Sequence, residues 1–167
     1  MQITSISQLP EGALLEPYRQ ARAYTDGYVA DLPGAVSLAD YIQAFYTSGL
    51  FKLERLVLAA LVAKPSTDAD AAALAAGQST RFAAWTTEAR TADQILMCDY
   101  QSKTRSWLMC VPKDGGGTRL YFGSAVVPER ILSNGAVYLG IFFHLLLPFH
   151  IVYSHALLRA AARQLVA

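Results

Sequence analysis

The C-terminal third of this chain contains a long run without a charged side chain, and this run limits what the chain can fold into. No Asp, Glu, Lys or Arg occurs between Arg130 and Arg159, and the stretch AVYLGIFFHLLLPFHIVYSHALL, residues 136–158, lies within it. A membrane span takes about 20 apolar residues, so this run is long enough to be one. A helix that is apolar on all sides is buried either in lipid or in protein. The sequence therefore predicts a membrane anchor or a helix packed on other elements.

Four strand-like runs precede the apolar run and favour packing on protein. They are RFAAWTTEAR, QILMCDY, TRSWLMCVP and TRLYFGSAVVP, and short polar turns separate them. This pattern is typical of an antiparallel meander. A sheet that is apolar on both faces needs a cover, which the last helix can supply. We therefore expect the C-terminal helix to lie on the sheet, with a membrane anchor as the alternative.

The same pattern predicts details of the last helix. We expect it to begin after Ser133 or Asn134, either of which can cap a helix, and to bend around the sheet at Pro148. The segment ALLRAAARQLVA, with Arg159 and Arg163 on one face, is predicted to be its less buried end. The side chains expected to press on the sheet are Phe142, Phe143, Leu146 and Leu147.

Helices are predicted between a first strand and the meander. The alternation in AYTDGYVADL, residues 23–32, indicates a strand with Gly27 as a candidate bulge. Ser37 and Asp40 have the spacing of a capping box at the start of a helix, and LFKLERLVLAALV has the spacing of a second helix. STDADAAALAAG predicts a third, short helix capped at Ser66 or Thr67, and LLEPYRQARA a short one near the N-terminus. The predicted class is α+β, in one domain over residues 1–167.

Composition excludes several functions. The chain is 53% hydrophobic and only 16% charged, against a usual charged share of about 25%, so a large core, a cavity or an interface is expected. The net charge is +1 and the basic residues form no stripe, which argues against a nucleic-acid partner. Cys98 and Cys110 are too few for a metal cluster and are interpreted as thiols in a reducing compartment. We expect a cytoplasmic protein with no signal peptide, no cofactor and no metal.

Alternation assigns the strand residues to two faces of the sheet. One face is predicted to be rich in aromatic residues, as core or as the wall of a cavity: Trp85, Thr87, Leu96, Cys98, Tyr100, Trp107, Met109 and Tyr121. The other face contains apolar residues such as Leu108 and Phe122 together with a polar row made of Thr86, Asp99, Ser106 and Ser124. That row is either a solvated rim or a set of groups that orients a ligand. A register shift of one residue would exchange the faces.

The three histidines of the last helix are further candidates. His144 and His155 lie on one face but about 16 Å apart along the axis, too far to share a metal. His150 points elsewhere. They are either polar residues on a buried helix, or one of them faces a pocket as a hydrogen-bonding group or base. Glu88 and Asp99 are predicted on one face of neighbouring strands, which is weak support for an acid–base pair.

The order of these elements resembles the helix-grip fold of START-type lipid-transfer domains, the birch-pollen allergen family and polyketide cyclases. The stretches that carry the resemblance lie within residues 24–128: SLADYIQAFYTSGLFKLERLVLAALV, RFAAWTTEAR, QILMCDYQSKTRSWLMCVP and GTRLYFGSAVVP. Within that fold, the chain is similar to an uncharacterised bacterial family that also occurs fused behind sugar-epimerase-like domains. The resemblance implies a cavity between the sheet and a long helix, and it implies no catalytic residue. The apolar last helix with Pro148 departs from it.

Three functions follow as expectations. The first is binding of a small hydrophobic ligand in the cavity, which apolar walls would favour. The second is a cyclase or hydrolase type of enzyme, which a buried carboxylate and a histidine converging on the cavity would favour. The third is an interaction module whose last helix forms a homodimer or, less favoured, contacts a membrane. The candidate ligand-binding residues are Trp85, Asp99, Tyr100, Ser106, Trp107, Tyr121, Phe122, His144 and His150.

Overall fold

A computed structural model describes residues 2–53, 55, 65–131, 137–139 and 141–166; at residues 131, 137 and 141–146 only the backbone is described. Four helices have described bounds: α1 (Glu16–Gln20), α2 (Leu38–Thr47), α3 (Asp68–Ala75) and α4 (Ile141–Gln164). The strands are β1 (Thr4–Ser5), β2 (Tyr24–Leu32), β3 (Arg81–Phe82), β4 (Trp85–Arg90), β5 (Gln94–Asp99), β6 (Thr104–Pro112), β7 (Thr118–Val126), β8 (Arg130–Ile131) and β9 (Val137–Tyr138).

Seven strands form one antiparallel sheet in the order β1-β2-β7-β6-β5-β4-β3. Strands β4 to β7 follow one another in space as they do in the chain, so the predicted meander is confirmed. Strand β2 pairs with β7 over its whole length, from Tyr24 opposite Val126 to Leu32 opposite Thr118. The α+β class, with the C-terminal helix packed on the sheet, is confirmed. Strands β8 and β9 form a separate two-stranded sheet.

The run RFAAWTTEAR differs from the prediction of one regular strand. Ala83 has φ of +51°, and the run folds there into a tight hairpin that places Phe82 opposite Trp85. A register shift between Thr87 and Ala89 then inserts one residue into β4. Because alternation has a period of two, the extra residue reverses the faces before it. The predicted assignment of Trp85 to the Trp107 face is therefore wrong, since Trp85 pairs with Asp99.

Gly27 does not form the predicted bulge, because it pairs in register with Gly123. A Cβ atom at Gly27 would lie 2.8 Å from Cγ1 of Ile6, closer than real contacts allow. The glycine is needed because the N-terminal segment crosses the strand at this point. A glycine within a strand can indicate either a bulge or a close approach of another chain segment, and at Gly27 it indicates the close approach.

The helix starts follow the predicted caps. Ser37 Oγ accepts from the backbone N–H of Asp40, whose carboxylate accepts in return from the N–H of Ser37. Thr67 and Asp70 form the same reciprocal pair at the start of α3. Residues 49–53 and 55 are helical, in agreement with the predicted second helix, and the rest of that helix lies outside the described residues.

The C-terminal helix differs from its prediction in which end is buried. From Leu147 onward, where its side chains are described, the buried ones lie late in the helix, at Ser154, Leu157, Leu158, Ala161 and Ala162, where it packs on α2 and β2. Phe149 and Val152 are exposed by about two-thirds (66% and 68%). Among the described side chains, the prediction that residues 156–167 form the less buried end is therefore wrong, because α2 and β2 cover that end.

Other predictions for this helix lie outside the described residues. They are the cap at Ser133 or Asn134 and the sheet contacts of the Phe142, Phe143 and Leu146 side chains. Leu147 is half-buried. Throughout the part of the chain with assigned positions, no helix combines the length and apolar character required to cross a bilayer.

Candidate functional site

A cavity of about 220 Å³ lies between one face of the sheet and the helices that cover it. Its walls come from α2, β4, β6, β7 and α4. The larger part of the lining is apolar or aromatic: Phe45, Phe51, Trp85, Phe122, Ala125, Val126, Tyr153 and Leu157. Six polar residues also line it: Thr104, Arg105, Ser106, Ser124, His150 and Ser154. Apolar walls with a few convergent polar groups are the usual composition of a small-molecule site.

The polar part of the cavity is built on a row of cross-strand neighbours. Asp26 of β2 pairs with Ser124 of β7, and Ser124 pairs with Ser106 of β6. Directly opposed side chains on one face have Cβ atoms about 4.5–5.5 Å apart. The carboxyl group and the two hydroxyl groups therefore lie side by side, and Met97 of β5 continues the row as an apolar residue.

His150 reaches this row from the C-terminal helix. Its Nε2 lies 2.9 Å from Oδ2 of Asp26, 2.9 Å from Oγ of Ser124 and 3.4 Å from Oγ of Ser154. The ring also meets Tyr24 edge-on, with centroids 6.4 Å apart. One ring nitrogen of one histidine thus joins the helix to two strands of the sheet.

The carboxyl group of Asp26 is the electrostatic centre of the cluster. Oδ1 accepts from the backbone N–H of Ser124 at 3.0 Å and from its hydroxyl at 2.6 Å. Oδ2 accepts from the hydroxyl of Tyr28 at 3.1 Å and of Tyr24 at 3.3 Å. Burial raises the pKa of Asp26, but the hydrogen bonds from His150, Ser124 and Tyr28 outweigh burial and hold the pKa below its usual value. Asp26 is therefore a carboxylate at neutral pH.

The two tyrosines beside this carboxylate stay protonated. Burial, and then the negative charge of Asp26, raise the pKa of Tyr24 to about 12 and that of Tyr28 further. Both therefore remain hydrogen-bond donors, which further stabilises the carboxylate.

This geometry is different from that of a Ser-His-Asp triad. In a triad the serine and the carboxylate occupy different ring nitrogens, so that the serine can give its proton to the histidine. Here Ser124 and Asp26 both meet Nε2, and the carboxylate at 2.9 Å requires a proton on that nitrogen. Ser124 directs its own proton to Asp26, so the arrangement does not activate the serine as a nucleophile.

Four of the nine predicted ligand-binding residues line the cavity: Trp85, Ser106, Phe122 and His150. Trp107 and Tyr121 lie on the opposite face of the sheet. Tyr100 is exposed in the β5–β6 turn, and Asp99 accepts from the backbone N–H groups of Lys103 and Thr104 there. The side chain of His144 lies outside the described residues. A role in ligand binding stays a prediction for all nine.

Sequence reasoning missed Asp26 as a site residue. It predicted the strand that carries Asp26 and placed Ser106 and Ser124 in one polar row, but it did not pair the first strand with the last. The row was extended instead toward Asp99 and Thr86. The useful signal is the alternation Tyr24, Asp26, Tyr28, since an acidic residue between two aromatic residues on an inward face needs partners.

A second polar cluster lies on the opposite face. Nε of Arg105 is 2.7 Å from Oε2 of Glu88 and 2.7 Å from the hydroxyl of Tyr18, which also donates to Glu88. The guanidinium lies over the Tyr18 ring, 4.7 Å from its centroid. Glu88 and Asp99 are not brought together, so the structure does not form the predicted acid–base pair.

Comparison with models of known protein families, with curated proteins and with solved structures gives no match. Among the residues with described positions, His, Cys, Asp and Glu form no group of three or more that could hold a metal ion. The interpretation of the site therefore depends on its own geometry.

Proposed function

We propose that this protein is a helix-grip domain that binds a small, largely apolar molecule in the cavity between the sheet and the C-terminal helix. The observation that carries the proposal is the cavity itself, with its mostly apolar lining and a few polar residues. A cavity of about 150 Å³ is known to bind benzene, so about 220 Å³ corresponds to a ligand of roughly ten non-hydrogen atoms. The aromatic side chains favour a ring, because rings pack edge-on or offset against one another.

The two tryptophans of the chain provide a test, because Trp85 lines the cavity and Trp107 is buried on the opposite face. Trp107→Phe leaves Trp85 as the only indole, and Trp85→Phe leaves Trp107. Each variant is titrated with 4-ethylphenol while tryptophan emission is measured. We expect a saturable change in Trp107→Phe and none in Trp85→Phe. No change in either variant, or equal changes in both, would contradict binding in this cavity.

An enzyme on the same scaffold is a second candidate, and the meeting of Asp26 and His150 at the cavity favours it. A carboxylate that orients a histidine supports general acid–base catalysis. A mechanism with Ser124 as nucleophile is not supported, because its proton is directed to Asp26. The candidate role is therefore proton transfer by His150.

Hydrolysis of 4-nitrophenyl acetate tests this second candidate. If His150 transfers a proton, the wild type should show saturable hydrolysis. His150→Gln should lower the rate by about 100-fold, and Ser124→Ala should retain it. Hydrolysis no faster than in buffer would contradict the enzyme, and a loss confined to Ser124→Ala would contradict proton transfer by His150.

A further inference from the structure

The hydrogen-bonding state of Ser124 limits which ligand groups can meet it. Its hydroxyl has one proton, and Oδ1 of Asp26 lies only 2.6 Å away to accept it. Nε2 of His150 cannot accept that proton, because this nitrogen donates to Oδ2 of Asp26. Ser124 therefore presents only lone pairs to the cavity, and a ligand group that meets it must donate.

Ser106, the direct neighbour of Ser124, is in the opposite situation. It is nine-tenths buried (9% exposed) and lines the cavity. Within the described residues no hydrogen bond of its hydroxyl is found, and its oxygen is not among the fully buried unpaired atoms. The oxygen is therefore accessible from the cavity. It can still donate a proton to a ligand.

The charges around the cavity argue for a neutral ligand. An anion would lie close to the carboxylate of Asp26. Arg105 is among the residues that line the cavity, but its guanidinium is already bound to Glu88 and to the hydroxyl of Tyr18. A cation would find no open carboxylate oxygen, since both oxygens of Asp26 already accept hydrogen bonds. Charged groups are costly to bury without such a partner.

From these three observations we propose that the ligand is a neutral aromatic molecule with one hydroxyl group, a phenol or an aromatic alcohol. The hydroxyl donates to Oγ of Ser124 and accepts from Oγ of Ser106, while the ring packs on Phe122 and Trp85. One oxygen can reach both serines, because opposed side chains on neighbouring strands are about 5 Å apart and each hydrogen bond spans about 2.8 Å. This inference rests on the proposed function and assigns the ligand class of the same cavity.

Three probes of nearly equal size test the ligand class: 4-ethylphenol, ethylbenzene and 4-ethylanisole. The phenol can donate and accept, the anisole can only accept, and ethylbenzene can do neither. Dissociation constants are measured from Trp85 emission in the Trp107→Phe protein. We expect the phenol to bind about tenfold more tightly than the other two. Only the phenol pairs with both serines, and one buried hydrogen bond contributes about 1.4 kcal/mol, which is a factor of about ten in the dissociation constant.

Ser106→Ala in the same background tests the assigned atom. We expect the preference for the phenol to fall to about threefold or less, with unchanged affinity for ethylbenzene. Ser7→Ala, at an exposed position outside the cavity, is the matched control and should keep the full preference. A circular-dichroism melt of each variant verifies that it is folded.

The outcomes separate the inference from the proposed function. If none of the three probes changes Trp85 emission, the proposed function fails. If ethylbenzene or the anisole binds as tightly as the phenol, the cavity binds apolar molecules but the assigned ligand class is wrong. An undiminished preference in Ser106→Ala also overturns the inference.

Discussion

The two faces of the sheet are covered by different kinds of structure. Helices α2 and α4 cover one face and border the cavity, which has Asp26 and His150 beside it. The N-terminal segment covers the other face through Leu15 and the residues around it, which enclose Trp107, Leu96 and Met109. The segment is mostly irregular, with only the five residues of α1 in a helix.

The difference is clearest in how each face treats its polar groups. On the N-terminal face, Oε1 of buried Gln94 accepts from the N–H of Leu14 and from Nε1 of Trp107, both at 2.9 Å. Its amide nitrogen donates to the carbonyl of Gly12 at 3.1 Å. On the helix face, Ser106 is left without a described partner. The comparison teaches that the buried Gln94 and Trp107 side chains of one face are paired within the fold, whereas the other face has hydrogen-bonding capacity left for a ligand.

The largest expected effect is the loss of Trp107. Its indole is fully buried, and Gly123 leaves room for it, since a Cβ atom there would lie 2.9 Å from the ring. Trp107→Ala should lower the free energy of unfolding by about 3–5 kcal/mol. Trp85→Ala should cost less, because Trp85 is only half-buried and borders empty space. Urea denaturation followed by circular dichroism gives both values, and equal losses would remove the distinction between the faces.

Gln94 comes next, because it joins the N-terminal segment to the sheet. Gln94→Ala leaves three partners unpaired, the buried indole N–H of Trp107 and the backbone groups of Leu14 and Gly12, and we expect a loss of about 2–3 kcal/mol in the free energy of unfolding. Gln101→Ala is the matched control at an exposed turn and should stay within about 0.5 kcal/mol. A loss in Gln94→Ala as small as in the control would mean that the N-terminal segment is held without this side chain.

The contrast between the faces also explains what the sequence could predict. Local signals determine most of the strands and turns and the caps at Ser37 and Thr67, and these predictions are confirmed except in the run RFAAWTTEAR. The register shift after Thr87 was not visible, because it depends on how β4 pairs with β5. Asp26 was missed as a site residue because its partners are distant in the chain and are brought together only by the pairing of β2 with β7.

The sequence also did not predict that the N-terminal segment covers the Trp107 face. This segment has little regular structure and therefore no periodic pattern. Alternation made Trp107 a candidate for either core or cavity, and only the position of Leu15 against it decides for core.

The acid dependence of stability tests the charge on the helix face. The pKa of Asp26 is below its usual value, so ionised Asp26 stabilises the fold above about pH 4, and this contribution is lost as the pH falls through the lowered pKa. Asp26→Asn should cost about 1–2 kcal/mol at pH 7, and the difference from wild type should shrink toward pH 2. Urea midpoints between pH 2 and pH 7 measure this.

Asp114→Asn, in an exposed turn, is the control for that series and should follow the wild type at every pH. A constant gap between wild type and Asp26→Asn from pH 7 to pH 2 would show that the asparagine acts through packing. In that case the ionised carboxylate would not be the source of the stabilisation.

The smallest expected change in the free energy of unfolding is that of Ser106→Ala. It tests the comparison of the two sheet faces most directly. If its hydroxyl is unpaired in the empty protein, Ser106→Ala removes no hydrogen bond and should change the free energy of unfolding by less than about 0.5 kcal/mol. Ser124→Ala, on the neighbouring strand, removes a hydrogen bond to a buried carboxylate and should cost about 1–2 kcal/mol. Urea denaturation of the two variants without ligand gives the values. A loss in Ser106→Ala as large as in Ser124→Ala would mean that Ser106 already has a partner within the fold. The helix face would then have no free donor at Ser106, and the acceptor at Ser124 would be the remaining polar contact of the assigned pair for a ligand.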